Sequence, residues 1–373
     1  MDLGTLAMLA TMLFGAVVSD AILFGKTMRV EFAVPKVVAE QGFTQDVAER
    51  LFISEFGRLA DISFILPFPT ISQASQDSLL SIVAKPLRID PIAELVQRKI
   101  GSDVVSIQNT MVNAGGATKF DIYSVVTDAG GSVSRHVMTG ASDAPAKLVE
   151  GMARRIASDT LPYRVAMSDY VTGLHGDPKG FEMARQLAEH ALATGFDRSK
   201  ATQRVMLYNV LGLLKVREND PAAAERIWAE AMQVPFAKGA SYSIVAANRA
   251  FIAISQRDFR HARDMHGLAL ANKVRPYLDY YDDHLKFLDA LISWGEGNTQ
   301  AAEDQFAVLE KALIGDTAPT YLATLLSAQG RTEEAKAATA RAIFMKTVKT
   351  QHPDLVGSVY WVDPVKGGFR RRT

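Results

Sequence analysis

NVLGLLKVRENDPAAAERIWAEAM, residues Asn209 to Met232, places small and bulky apolar residues on both sides of a polar break and contains no obvious reactive group. The pattern is that of two short helices joined by a turn, and one such pair cannot bury its apolar stripe alone. The stretch therefore predicts neighbours of its own kind. Working outward, small residues recur at Ala184, Ala224, Ala262, Ala302 and Ala335, at steps of 40, 38, 40 and 33. Seven residues beyond each stands Ala191, Ala231, Ala269, Leu309 or Ala342. Seven residues is about two helical turns, so each pair shares one face, where a small side chain lets an adjoining helix come close. Four residues beyond the first alanine, Trp228 and Phe306 fill the space in two units. At ~25 cal/mol per Å² of apolar area, contacts between stacked pairs are what hold such an array together.

The units resemble tetratricopeptide repeats, carried in the opening stretch and its neighbours by Tyr208, Leu211, Gly212, Ala224, Trp228, Ala231 and Pro235, in that order. The turn residue of that pattern is Asn219 here, Gly297 in the fourth unit and Gly330 in the fifth; Asn248, Ala250 and Phe259 match in the third. The likeness covers about Leu161 to Thr347, half of the chain. Arg257 replaces the turn glycine of the third unit, His266 replaces its bulky residue, and steps of 38 to 40 imply insertions between pairs. The resemblance implies a groove that takes a peptide or a partner helix. Its candidate lining comes from the first helix of each pair: Tyr208, Asn209, Asn248, Arg249, Tyr281 and His284.

With 41 basic and 41 acidic residues the chain has no global field to draw it onto nucleic acid or a bilayer, and no nucleic-acid partner is expected. The absence of cysteine excludes disulfides, thiolate zinc sites and a cysteine nucleophile. Leu3 to Phe24 is apolar except for Asp20, and about 20 apolar residues suffice to span a hydrocarbon core. It reads as a single-pass membrane anchor of a bacterial inner membrane; a signal peptide and a buried helix are the competing readings. Lys26, Arg29 and Lys36 follow the run, which favours a cytoplasmic soluble part, but with two residues ahead of the span, periplasm and cytoplasm both stay open.

From Met28 to Thr160 the pattern changes. "RVEFAV" alternates as a strand with one buried face, and Thr44 caps a helix running to about Leu59. A short strand is expected over Ile62 to Leu66, then a surface loop, then a helix from Asp90 and Pro91 to Gly101. Three strand-like runs follow, separated by "NAGG" and "DAGG", whose paired glycines supply the positive backbone angles of tight hairpins. No Lys-Ser/Thr pair follows them, so turn chemistry is preferred to a phosphate cradle. A last helix is expected from Pro145 to about Ser158.

The fold class is thus α+β: an N-terminal membrane segment (1–27), a small antiparallel α/β sandwich-like domain (28–160), an all-α helical-hairpin solenoid (161–347) and a C-terminal tail (348–373). The order of these parts also resembles that of membrane-anchored bacterial repeat proteins, which implies no activity. No zincin, nucleophile-elbow, Walker or dinucleotide motif occurs. His261 and His266, five apart, do not form an i, i+4 metal pair, and a site joining them to Asp264, Asp283 and His284 is a remote reading. Asp282 and Asp283 are adjacent and splay apart. "GGFRRRT" reads as a frayed soluble end. No catalytic residue, cofactor or metal is assigned. The expected function is a membrane-anchored scaffold for a protein or peptide partner; the alternatives are an enzyme with a site in the α+β domain regulated by the repeats, and a structural component of a cell-envelope assembly.

Overall fold

The computed structural model describes residues 27–60, 70–73, 105–113, 119–128, 131–141, 143–195, 201–235, 237, 239–273, 279–310, 317–345 and 353–371. The apolar run Leu3 to Phe24, the strand expected at Ile62 to Leu66 and the helix expected at Asp90 to Gly101 lie outside them. Among the described residues no helix is long and apolar enough to cross a membrane. The described chain divides into two compact units, which meet in sequence between Thr160 and Leu161.

Among its described residues the first unit is a five-stranded mixed sheet with helices on one face. Its elements are β1 (Thr27–Ala33), α1 (Lys36–Ala39), α2 (Gln45–Ala60), β2 (Thr70–Gln73), β3 (Val105–Asn113), β4 (Lys119–Thr127), β5 (Val133–Ala141) and α3 (Pro145–Thr160), with strand order β2-β1-β3-β4-β5. The expected meander is present: β3, β4 and β5 pair antiparallel. The expectation of a wholly antiparallel sheet is corrected, because β1 runs parallel to both β2 and β3. Alternation of side chains is the same in both pairings. Direction is set by the connection, and a parallel neighbour requires a crossover longer than a hairpin. Thr70 to Gln73, read as loop, is an edge strand.

Register places Val30, Phe32, Ile107, Met111, Phe120, Ile122 and Val126 on one face, all buried, where α2 and α3 cover the sheet with Phe52, Phe56, Val149, Met152 and Ile156. β2 pairs with β1 only as far as Val30. Two residues on, the amide of Phe32 donates instead to the buried Glu49 Oε1 at 3.2 Å, which also accepts from Gln45 Nε2 at 2.9 Å. The "DAGG" turn is a tight hairpin: Gly131 has φ +81°, its amide donates to the Asp128 carbonyl, and Ser132 N donates to Asp128 Oδ1 at 2.8 Å.

Among its described residues the second unit is a helical repeat of five antiparallel pairs: α4 (Pro162–Leu174) with α5 (Lys179–Thr194), α6 (Ala201–Arg217) with α7 (Pro221–Ala231), α8 (Ala240–Ser255) with α9 (Phe259–Ala271), α10 (Asp279–Gly295) with α11 (Thr299–Leu309), and α12 (Thr317–Ala328) with α13 (Thr332–Met345). Each second helix also packs on the first helix of the next pair. The recurring residues Ala184, Ala224, Ala262, Ala302 and Ala335 are all buried, as are their partners seven residues on. Trp228 fills its gap fully buried because Gly212 faces it: a Cβ there would stand 2.1 Å from Trp228 Nε1. The polar break of the opening stretch is a turn followed by a cap, in which Asn219 adopts φ 61° and Asp220 Oδ1 accepts from Ala223 N at 2.9 Å ahead of Pro221.

Residues 353–371, expected as a tail, are folded. They form α14 (Val356–Val359), β6 (Tyr360–Val362) and β7 (Phe369–Arg371), the two strands pairing as an antiparallel hairpin. Leu355, Val356, Val359, Tyr360 and Val362 join the same apolar core as the repeats. Phe369 and Arg371, from the stretch read as frayed, lie in the hairpin.

Arg257 takes φ 62° where Gly297 and Gly330 take +89° and +75°. A left-handed non-glycine residue costs about 1–2 kcal/mol, so Arg257→Gly is expected to stabilise the chain by about 1 kcal/mol in denaturant titration. No change, or a loss, would show that its side chain compensates the backbone.

Candidate functional site

The first helices α4, α6, α8, α10 and α12 share a face, and the C-terminal segment lies across it. Asn209 and Asn248 stand at the middle of α6 and α8 with 0% and 1% of their surface exposed. A buried amide without partners costs several kcal/mol, so each of these two side chains must be satisfied from within the protein. Asn248 Nδ2 donates to Asn209 Oδ1 and to the Asp354 carbonyl, both at 2.8 Å, and Asn209 Nδ2 donates to the same carbonyl at 3.1 Å. Asn248 Oδ1 accepts from the amide of Val356 at 2.8 Å. One carbonyl and one amide two residues apart are thus held by side chains from two successive repeats.

The rest of the segment is fixed from the other first helices. Tyr163 of α4 donates its hydroxyl to Asp354 Oδ2 at 3.3 Å. Tyr321 of α12 accepts from the Val362 amide at 2.8 Å, and its ring stacks on Trp361 with centroids 3.7 Å apart. Gly357 passes so close to α8 and α10 that a Cβ on it would stand 2.9 Å from His284 Cε1 and 3.1 Å from Phe251 Cε2. The hairpin then reaches the ends of the helices: Gly368 N donates to the Ser255 carbonyl at 2.7 Å, and Arg371 donates to the Leu174 carbonyl at 2.7 Å, the favourable placement of a cation at a helix C-terminus.

Of the six residues assigned to a groove, the structure brings Asn209, Asn248 and His284 against the segment. Tyr281 is buried beside them, its hydroxyl 2.8 Å from Ser243 Oγ and its ring stacked with His284. Tyr208 and Arg249 face the second-helix layer instead. The Tyr208 hydroxyl donates to Glu230 at 3.2 Å, and Arg249 grips Glu225 Oε1 through two nitrogens at 2.9 and 2.6 Å, with His261 Nε2 3.3 Å from the same oxygen. Tyr163, Tyr321, Gly357 and Asp354 were not singled out from sequence. The signal was there in "DLVGSVYWV", Asp354 to Val362, which is too apolar for a solvated end.

Among the described residues no group of three metal-ligating side chains converges. Asp283 pairs with Lys286 and Asp282 with Lys273. His266 occupies the gap that Trp228 and Phe306 fill in other units, with Nε2 2.9 Å from the Leu285 carbonyl, and its burial holds its pKa below the ordinary value.

In the first unit a second polar chain crosses from β5 to α3. Ser134 Oγ lies 3.2 Å from His136 Nε2, and His136 Nδ1 lies 3.2 Å from Asp159 Oδ2. His136 is buried and its pKa is lowered, chiefly by desolvation, with Asp159 opposing and Arg155 assisting. Asn109, Ser124 and His136 are cross-strand neighbours on the inner face. No known family matches the sequence, and no curated protein is significantly similar to it.

The buried neutral His266 has a pH consequence. With its folded pKa below the unfolded value of about 6.5, the unfolded chain binds more protons between the two values, so stability falls as pH drops below about 6.5. The melting temperature should fall from about pH 7.5 to about pH 5.5, and His266→Gln should lose less than the parent over that interval. An equal loss in both would assign the acid sensitivity to other groups.

Proposed function

We propose that the chain is a membrane-anchored interaction scaffold whose tetratricopeptide-like array takes a peptide or partner helix along its first-helix face, with Leu3 to Phe24 as the anchor. The observation that carries this reading is the pair Asn209 and Asn248, whose amides grip the backbone of the C-terminal segment at Asp354 and Val356 rather than its side chains. Backbone-directed contacts of this kind accept many sequences, and pockets between them confer the choice. Arg249, though adjacent to Asn248, is held away from that face by Glu225. Asn248→Ala should therefore abolish co-purification of a partner from mild detergent extracts while Arg249→Ala retains it, with melts recorded for both folded variants. Equal retention would remove the first-helix face from the reading. Reporter fusions at Lys36, active on only one side of the membrane, assign the side of the soluble part.

One observation favours a second reading, an enzyme in the α+β unit. The Ser134, His136 and Asp159 chain has the order of a hydroxyl nucleophile, a base and an orienting carboxylate, and a histidine kept neutral can take a proton. A fluorophosphonate should then label Ser134, with the label lost in His136→Ala. An unlabelled serine leaves the chain as a tie between β5 and α3.

A further inference from the structure

We propose that the face covered by the C-terminal segment is a receptor for a peptide of the same chemistry and the same local form, a helical turn entered through one extended residue, and that residues 353–362 are its competitor in cis. The proposal rests on the scaffold reading and specifies the partner. The docked segment displays what the face selects. An acidic residue comes first, with Asp354 Oδ2 accepting from Tyr163. Two fully buried apolar residues follow, Leu355 and Val356. The next position has no room for a side chain unless the His284 and Phe251 rings shift, because a Cβ on Gly357 would stand 2.9 and 3.1 Å from them. The apolar Val359 comes next, and Trp361 then stacks on Tyr321.

Two features make this segment separable from the array. The hydrogen bonds that fix the Asp354 carbonyl and carboxylate and the Val356 and Val362 amides come from side chains of the helices, Asn209, Asn248, Tyr163 and Tyr321, so releasing them breaks no backbone ladder of the repeats. Its own regular structure is one helical turn and a three-residue hairpin. If it left, the amides of Asn209 and Asn248 would lose their carbonyl acceptor and Asn248 Oδ1 its donor, a loss that another peptide backbone of the same local form restores. As a ligand in the same chain it competes intramolecularly, and a free partner sees its affinity reduced by the fraction of time the face is open.

The test uses a fluorescein-labelled peptide with the sequence of residues 353–364 and full-length chains, read by anisotropy. The unaltered chain should bind it weakly. Gly357→Ala changes only the resident segment, and the chain carrying it should bind the unaltered peptide roughly tenfold more tightly or better. The same chain with Asn248→Ala added should lose the gain, and a peptide bearing the Gly357→Ala change should bind none of the chains. Inserting about 20 Gly and Ser residues between Met345 and Pro353 leaves every described contact in place and lowers the effective concentration, so it should also raise peptide binding, by several fold. This second variant decides the matter if Gly357→Ala unfolds the chain. Binding no better than that of the parent would overturn the proposal and make the segment a permanent part of the core. Light scattering that shows a dimer with exchanged segments would also overturn it, by assigning the face to a second copy. Either failure leaves the Asn248 and Arg249 co-purification result to judge the scaffold reading separately.

Discussion

Two asparagine side chains buried between helices impose the constraint on which the C-terminal half depends. Asn209 and Asn248 sit 39 residues apart, at the same place in successive repeats, and hydrogen-bond to each other. One such bond cannot satisfy two amides. The remaining donors and acceptor are matched by the Asp354 carbonyl and the Val356 amide, which places the start of α14 on this face. Once those two groups are fixed, Gly357 must pass between His284 and Phe251, and the following apolar residues fall into the core. Full burial of a Val or Leu side chain contributes about 1.5–3 kcal/mol, so Leu355, Val356 and Val362 turn a polar registration into a stable seat.

The seat is continuous with the packing of the repeats. Phe287, Phe306 and Tyr321 contact one another through their rings, and Trp361 extends that cluster from the C-terminal segment. At the other end of the first helices, Arg371 lies at the end of α4, and the Gly368 amide donates to the carbonyl of the last residue of α8, Ser255. The small residues at Ala184, Ala224, Ala262, Ala302 and Ala335 bring the helices close enough for this face to form, and the residues gathered on the face determine what covers it.

The array was legible because its signal repeats. Five units carry the same small residues, so a departure such as Arg257 did not hide the turn, and its backbone takes the left-handed conformation that glycine takes elsewhere. The two long helices and the β3-β4-β5 meander of the first unit were legible for a similar reason, since Thr44, Pro145 and the paired glycines punctuate the chain locally, whereas the edge strand Thr70–Gln73 was read as loop. What was not legible is set by contacts far apart in sequence. The Asp354 carbonyl meets Asn248 across 106 residues and Asn209 across 145, and no local pattern records such a pairing. The parallel direction of β1 is hidden likewise, because alternation does not distinguish it from antiparallel pairing. The candidate residues show a finer limit. Neighbouring helical positions differ by about 100°, so Asn209 and Asn248 turn toward the segment while Tyr208 and Arg249 turn toward Glu230 and Glu225.

Amide hydrogen exchange read residue by residue tests the central claim most directly: that a backbone held by Asn209 and Asn248 fills the first-helix face as a separable element. The account predicts that the amides of Val356 and Val362 are protected far above a free peptide and yet open together, before the amides in the middle of α6 and α8. Exchange of Val356 and Val362 at the rate of an unstructured peptide would contradict the docking. Exchange only with global unfolding would contradict the separability.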